Sequence, residues 1–144
     1  MKQPDCGALA FTAEEQLLLA AVLDTLIPAS DDGRFPAAGA LGCGPSVIEG
    51  CNRIPGLLQV VRDGLRELAR LSTARYGQPF AALDGTTREQ LLAEQGFVFP
   101  LLMQTYIAYY RHPAVLAALG LEPRPPHPKG YALAEPAMPV RPKA

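Results

Sequence analysis

The chain has 144 residues, of which 49% are hydrophobic and 19% are charged, and its mean hydropathy is +0.08. This length suffices for one domain with a true core, because a domain of about 150 residues buries roughly 68–70% of the surface that its unfolded chain exposes. The 13 Lys and Arg residues face 14 Asp and Glu residues and form no basic cluster, which excludes the usual electrostatic pattern of a nucleic-acid-binding protein.

The first residues, MKQPDCGALAFT, contain one lysine, no apolar stretch and no twin arginine. They do not have the pattern of an export signal, so we expect a cytoplasmic protein as the sequence is written. The three cysteines, Cys6, Cys43 and Cys51, are an odd number and favour reduced thiols. A disulfide between Cys43 and Cys51 stays open, because sequence alone does not give the distance between them.

The first predicted helix runs from about Ala13 to Leu26. Thr12 and Glu15 have the spacing of a capping box, which marks a helix start, and Pro28 disfavours helix in the residue before it. Apolar residues at helical spacing predict the face toward the core. This stripe is expected at Leu18, Val22 and Leu26, with Leu17, Leu19 and Ala21 beside it.

A long loop follows from Pro28 to Gly44, rich in Gly, Pro, Ser and Asp. Loops of this length are usually functional or held against something. Within it, the stretch GCGPS could cradle an anion at a helix N-terminus, but it lacks a preceding strand and a phosphate-loop lysine, so a turn is the better interpretation. Pro45 then suits the first turn of a short helix that ends near Arg53.

The longest helical signal opens at Pro55. Leu58, Val61, Leu65, Leu68 and Ser72 recur at three-and-four spacing and predict the buried row of this helix. We expect the charged residues between them to form a solvated face with ion pairs one turn apart, such as Asp63 with Arg66. These residues are Arg62, Asp63, Arg66, Glu67 and Arg70.

Two further helices are predicted after Pro79. Thr86 and Glu89 suggest a second capping box and a helix of about nine residues that ends near Gln95. The stretch from Phe97 to Arg111 is apolar over most of a helical circumference, so we expect this helix to be buried on several sides. Its uncharged run is interrupted by Pro100 and is shorter than the roughly 18 residues of a membrane span, so no transmembrane helix is predicted.

The last short helix is expected from Pro113 to Gly120. Seven of the 15 prolines follow Gly120, which favours an extended tail, either draped on the domain or lying on another protein. No strand-like alternation is visible. The sequence therefore predicts an all-α fold, a compact bundle of about five to six helices with a long Pro/Gly loop. The helical domain covers residues 1–120, and an extended proline-rich tail covers residues 121–144.

No residue pattern supports catalysis or metal binding. His112 and His127 both neighbour prolines, and nothing nearby offers an orienting carboxylate, so a capping or surface role is favoured. No C-x-x-C or H-x-x-x-H pair suggests zinc. Tyrosines in the stretch YYRHP are more often core or interface aromatics than acids or bases, because a phenol with a pKa near about 10 needs a charged partner to react at neutral pH.

Three stretches carry a resemblance to a known family: FTAEEQLLLAAVLDTLIPASDDG, FAALDGTTREQLL and YIAYYRHPAVLAALGLEPRPPHPKGY. In this order and spacing, over about Phe11 to Tyr131, the chain resembles the gluconate 2-dehydrogenase subunit 3 family. Members are small subunits that accompany flavin-containing catalytic subunits of the glucose-methanol-choline oxidoreductase class. The twin-arginine signal that often precedes such subunits is not found before Phe11.

The resemblance implies a non-catalytic helical subunit that binds and stabilises an FAD-dependent sugar or alcohol dehydrogenase in a hetero-oligomer. It implies no cofactor in this chain, with the FAD in the large catalytic subunit. Whether the chain also chaperones that subunit, and whether a cytochrome c subunit joins, is left open. The location would be periplasmic if the partner carries the export signal or the sequence was trimmed.

A stand-alone helical module that holds an apolar ligand between its helices is the alternative, and an independent enzyme is a third hypothesis. An apolar all-α body with a proline-rich arm suits docking better than it suits an active site. We expect the partner interface to include Phe35, Tyr106, Tyr109, Tyr110 and His112, and in the tail Pro125, Pro126, His127, Pro128 and Tyr131.

Overall fold

The computed structural model describes residues 10–124 and residue 130. Within this part of the chain the fold is all-α, as predicted, with six α-helices, one 3₁₀ turn at Phe80–Ala82 and no strand. The helices are α1 (Ala13–Leu26), α2 (Gly44–Asn52), α3 (Leu57–Tyr76), α4 (Gly85–Ala93), α5 (Val98–Arg111) and α6 (Pro113–Ala118). Among the described residues, none of these helices combines the length and the apolar character that crossing a membrane requires. Most of the predicted tail, and Cys6, lie outside the described residues.

The capping signals place most helix ends where the sequence predicts them. The Thr12 hydroxyl accepts from the Glu15 amide at 3.1 Å, and the Glu15 carboxylate accepts from the Thr12 amide at 3.0 Å, so the first capping box is confirmed. Gly77 and Gly120 follow α3 and α6 with φ of +66° and +76°, the left-handed conformation in which glycine closes helices.

The prediction of a second capping box, formed by Thr86 and Glu89, is wrong. Asp84, two residues before Thr86, caps α4, because its carboxylate accepts from the Thr87 amide at 2.7 Å and from the Thr87 hydroxyl at 2.9 Å. An ionised carboxylate is a strong N-cap acceptor, so Asp84 prevails over the threonine that follows. The predicted length of about nine residues is confirmed, since α4 has nine residues and ends at Ala93, close to Gln95.

The loop between α1 and α2 is anchored at several points. Asp24 on α1 accepts from the Ala40 amide at 2.9 Å, and the Ser30 hydroxyl accepts from the Phe35 amide at 2.9 Å. The Arg34 guanidinium donates to the carbonyl of Ala118 at 2.7 Å, which ties the loop to the end of α6. Hydrogen bonds therefore hold this loop against α1 and α6, which agrees with the prediction that a loop of this length is held against another part of the structure.

The buried row of α3 is the predicted one: Leu58, Val61, Leu65, Leu68 and Ser72 all lie in the core. In α1 the predicted stripe is displaced. The buried residues are Leu19, Val22 and Leu23, whereas Leu18 and Leu26 are only partly covered and Leu17 is 73% exposed. An apolar residue occurs on nearly every side of α1, so periodicity alone does not single out the face that packs.

One charged residue of α3, Arg62, is buried, although the sequence predicts that it lies on the solvated face. Arg62 is only 8% exposed, its guanidinium lies over the Phe11 ring at 4.8 Å, and it donates to the carbonyl of Ala10 at 2.8 Å. Glu15 lies 3.7 Å from Arg62 and 3.1 Å from Arg66, so one carboxylate serves both the cap of α1 and the contact with α3. The predicted pair of Asp63 with Arg66 is present at 4.0 Å.

The link through Glu15 predicts a pH-dependent stability. The amide of Thr12, and then Arg62 and Arg66, lower the pKa of Glu15. A lowered folded-state pKa contributes stability above the unfolded-state pKa, about 4.3 for glutamate, and this stability is lost as the pH falls through the folded-state value. Glu15→Gln should reduce the free energy of unfolding at pH 7 by about 1 kcal/mol, and the difference from wild type should shrink below about pH 4.

Urea unfolding at pH 7 and pH 3 measures this difference. Glu14→Gln is the matched control, since Glu14 is exposed in the same helical turn. Equal effects of the two substitutions at pH 7, or a Glu15→Gln difference that persists unchanged at pH 3, would contradict the assignment.

Candidate docking surface

One side of α5 holds the helix in the domain. Leu101, Thr105 and Tyr109 are buried, and they lie one turn apart on the side toward the core. The Thr105 hydroxyl donates to the carbonyl of Leu101 at 2.8 Å, and the Tyr109 hydroxyl donates to the carbonyl of Pro36 at 2.7 Å. Burial raises the pKa of the Tyr109 phenol, so the group stays protonated and keeps this bond.

Two glycines locate α5 against its neighbours. A Cβ at Gly64, in the middle of α3, would collide with the ring of Phe97, the buried residue that precedes α5. On α2, the side chain of Gln104 lies directly against Gly50. Glycine at both positions lets the helices approach closely, so the rotation of α5 about its own axis is well determined.

The opposite side of α5 is exposed, and the prediction that this helix is buried on several sides is wrong. Its large apolar residues project into solvent, and Phe99, at 71%, is the most exposed of them. We call this surface the α5 apolar face. It consists of Phe99, Met103, Tyr106, Ile107 and Tyr110.

The exposed residues form a stripe along the helix. Since successive helical residues are about 100° apart, Phe99, Met103, Tyr106 and Tyr110 fall within an arc of about 60°, centred about 130° around the helix axis from the buried row. Isolated exposed hydrophobic residues are normal on a protein surface, whereas an aligned set of them makes this side of α5 a candidate docking surface.

The rings of the three tyrosines of α5 contact one another. The Tyr109 and Tyr110 rings meet edge to face with centroids 5.2 Å apart, and the Tyr106 and Tyr110 centroids are 6.1 Å apart. Tyr109 is only 2% exposed, so the structure places this predicted interface residue in the core, behind the surface. Tyr106 and Tyr110 lie on the surface, as an interface would require.

A groove of about 460 Å³ runs beside the α5 apolar face, between α2 and α5. We call it the α2–α5 groove. Ile54 and Ile107 are among its apolar walls, and Ile107 also belongs to the α5 apolar face, so the two surfaces are continuous. The polar side chains on its rim include Glu49, Arg53 and Arg111.

The remaining predicted interface residues have different surroundings. The Nδ1 atom of His112 accepts from the Ala114 amide at 3.2 Å and caps α6, which confirms its capping role. Phe35 is half-buried in the anchored loop, with the Arg34 guanidinium 5.4 Å above its ring. The predicted residues of the tail, Pro125, Pro126, His127, Pro128 and Tyr131, lie outside the described residues.

Cys43 and Cys51 are buried and unpaired, and burial raises the pKa of each thiol. They stand at the two ends of α2, eight residues apart, which along a helix is about 12 Å. A disulfide needs Cα atoms within about 7 Å, so an intact α2 keeps the two thiols apart. Among residues 10–124 no cluster of three or more His, Cys, Asp or Glu side chains could hold a metal ion.

A second groove of about 610 Å³ lies between α1 and the segment around the 3₁₀ turn. Leu17 and Leu18 of α1 and Phe80 of the turn are among its walls. Like the α2–α5 groove, it is an open surface cleft.

The sequence prediction missed three members of the α5 apolar face, namely Phe99, Met103 and Ile107. The sequence signal for these three residues is the apolar character of α5 around its whole circumference. The same signal predicts burial on several sides, so it does not single them out as exposed. In the described part of the chain the elements that pack on α5 are mainly α2 and α6, with a smaller contact from α3, and they leave the α5 apolar face uncovered.

Comparison with known proteins identifies one family. The family model described as Gluconate 2-dehydrogenase subunit 3 matches residues 13–97. The match spans α1 to α4 and ends before α5, so it is shorter than the resemblance drawn from the sequence. No curated protein and no solved structure matches the chain.

The hydroxyl of Tyr109 provides a test of its structural role. Tyr109→Phe removes the bond to Pro36 and should lower the free energy of unfolding by about 1 kcal/mol, with a fall in Tm of roughly 3–5 °C. Thermal unfolding followed by circular dichroism measures the effect. Tyr110→Phe, one position along on the exposed face, is the control and should leave Tm unchanged; an equal fall in both variants would contradict the role assigned to Tyr109.

Proposed function

Because the chain belongs to the gluconate 2-dehydrogenase subunit 3 family, which implies a small subunit of a dehydrogenase complex, we propose that it binds and stabilises the catalytic subunit through the α5 apolar face. The partner is a large FAD-dependent sugar or alcohol dehydrogenase, and the two chains form a hetero-oligomer. This chain is the non-catalytic member, and the FAD and the substrate pocket belong to the large subunit.

The observation that carries the proposal is the alignment of exposed aromatic and apolar side chains on α5. Tyr, Phe and Met are enriched at protein interfaces, and buried aromatic residues supply much of the binding energy there. Removing such side chains from water contributes about 25 cal/mol per Å² of apolar surface, which favours a covered state of this helix. The bracing of Tyr110 by Tyr109 and Tyr106 limits the side-chain entropy lost on binding.

The positions of His112 and Tyr109 support an accessory role. The His112 imidazole caps a helix, and the Tyr109 phenol is buried against a backbone carbonyl. Neither is placed as a base beside a nucleophile, which acid–base or nucleophilic catalysis requires. The chemistry of the complex is accordingly assigned to the partner.

The alternative hypothesis, a stand-alone module for an apolar ligand, calls for a pocket enclosed between helices. Ligand sites typically bury most of the ligand surface. The groove beside α1 and the α2–α5 groove are open clefts, and the α2–α5 groove continues into an exposed helix face. This geometry favours docking of a protein surface.

A co-purification experiment tests the proposal. The tagged chain is co-expressed with the large dehydrogenase subunit, and the proposal predicts a yellow complex that contains both chains and bound FAD. The double variant Phe99→Ser/Tyr110→Ser should lower the affinity at least about tenfold, since loss of two interface aromatics commonly costs more than 1.4 kcal/mol.

The control is Leu17→Ser/Val60→Ser, which removes two exposed apolar side chains from α1 and α3 and should retain the complex. Circular dichroism confirms that both double variants fold. The proposal fails if the wild-type chain elutes alone and the large subunit is fully soluble and active without it. Equal binding by both double variants would exclude the α5 apolar face as the docking surface.

A further inference from the structure

We propose that the α2–α5 groove receives an acidic segment of the catalytic subunit, with an Asp or Glu carboxylate bound by Arg111 and a neighbouring apolar side chain packed on Ile54 and Ile107. This inference rests on the proposed function, since it names the chemistry that the partner presents at the end of the α5 apolar face. It also fixes the orientation in which the partner docks.

The pairing of the arginines singles out Arg111. In the part of the chain that the structure describes, the other arginines each bond to a carboxylate or a carbonyl. For example, Arg70 binds Glu67 at 2.6 Å and Arg75 binds Glu94 at 2.6 Å. Arg111, by contrast, is exposed at the end of α5 and has no hydrogen bond or ion pair within residues 10–124.

The helix dipole alone gives Arg111 a modest stabilising role at the C-terminus of α5. This role leaves the guanidinium's donors unused, because Arg111 makes no hydrogen bond to a carbonyl within residues 10–124. A guanidinium carries five N–H donors in a planar fork that matches a carboxylate. Arg111 therefore retains its capacity for a two-point bond to an incoming acid.

The charge around the groove favours an anion. Arg53 and Arg111 carry positive charges and Glu49 carries one negative charge, so the rim has one net positive charge. Glu49 already forms an ion pair with Arg53, one turn away on the α2 side, which leaves Arg111 as the uncompensated cation. The Nδ1 atom of His112 is occupied by the Ala114 amide, so a neutral ring keeps an Nε2–H donor beside Arg111.

The walls of the groove define the rest of the ligand. Ile54 and Ile107 are exposed apolar side chains on its two sides. A segment that pairs with Arg111 would therefore also bury an apolar side chain between them. One net charge and apolar walls suit a protein segment with an acidic and an apolar residue better than a polyanion, which needs several cations.

The affinity of charge variants of this chain for the large subunit tests the inference. The tagged chain and its single variants are co-purified with the large dehydrogenase subunit at 50 mM and 300 mM NaCl. Arg111→Gln should weaken the complex about tenfold or more at low salt and reduce its salt dependence, and Arg111→Lys should restore part of the affinity. Arg70→Gln, which removes the same charge from an exposed position on α3, should bind within about threefold of wild type.

The outcomes separate this inference from the proposed function. If Arg111→Gln binds like wild type at both salt concentrations while Phe99→Ser/Tyr110→Ser does not bind, the acidic segment is excluded and the docking of α5 stands. If Arg111→Gln disrupts self-association of this chain and leaves the complex intact, the occupant is a second copy and the inference is overturned. Absence of any complex with the wild-type chain overturns both proposals.

Discussion

The packing of one side of α5 onto the bundle is the constraint on which the α5 apolar face depends. Leu101, Thr105 and Tyr109 bury that side, and the bond from Tyr109 to the carbonyl of Pro36 joins it to the anchored loop. Because a tightly packed interface does not rotate freely, these contacts determine which residues of α5 face solvent. The α5 apolar face is thus a consequence of the core, and the aromatic residues exposed there are held before any partner arrives.

The long loop supports this surface from behind. It supplies the carbonyl that Tyr109 requires, and Arg34 connects it to the carbonyl of Ala118 at the end of α6. The predicted interface residues on α5 and at its end divide into two groups. Tyr106 and Tyr110 present their rings to solvent, whereas Tyr109 and His112 hold the backbone and the helix ends in place. A binding surface needs both groups, because rigid anchors lose less entropy on binding.

Helix positions followed from local chemistry, and for that reason they could be predicted well. The capping box at Thr12 and the glycine after α6 act within a few residues. One local signal was misassigned, since Asp84 caps α4 in place of Thr86. The other errors concern contacts distant in sequence: the buried Arg62 depends on Phe11 and Glu15, some fifty positions away. Likewise, the number of neighbours around α5 is a property of the assembled bundle. An apolar circumference is compatible with burial in the core or with burial under a partner, and the sequence pattern of α5 does not distinguish them.

Oxidative footprinting of the free chain and of its complex with the large dehydrogenase subunit tests the central claim most directly. Met103 lies in the middle of the α5 apolar face and is readily oxidised when exposed, whereas Leu17 on α1 provides an exposed reference. We expect the modification rate of Met103 to fall about fivefold or more in the complex, since core interface residues lose most of their accessible surface, with Leu17 unchanged. Equal rates at Met103 in the free and bound chain would contradict the account.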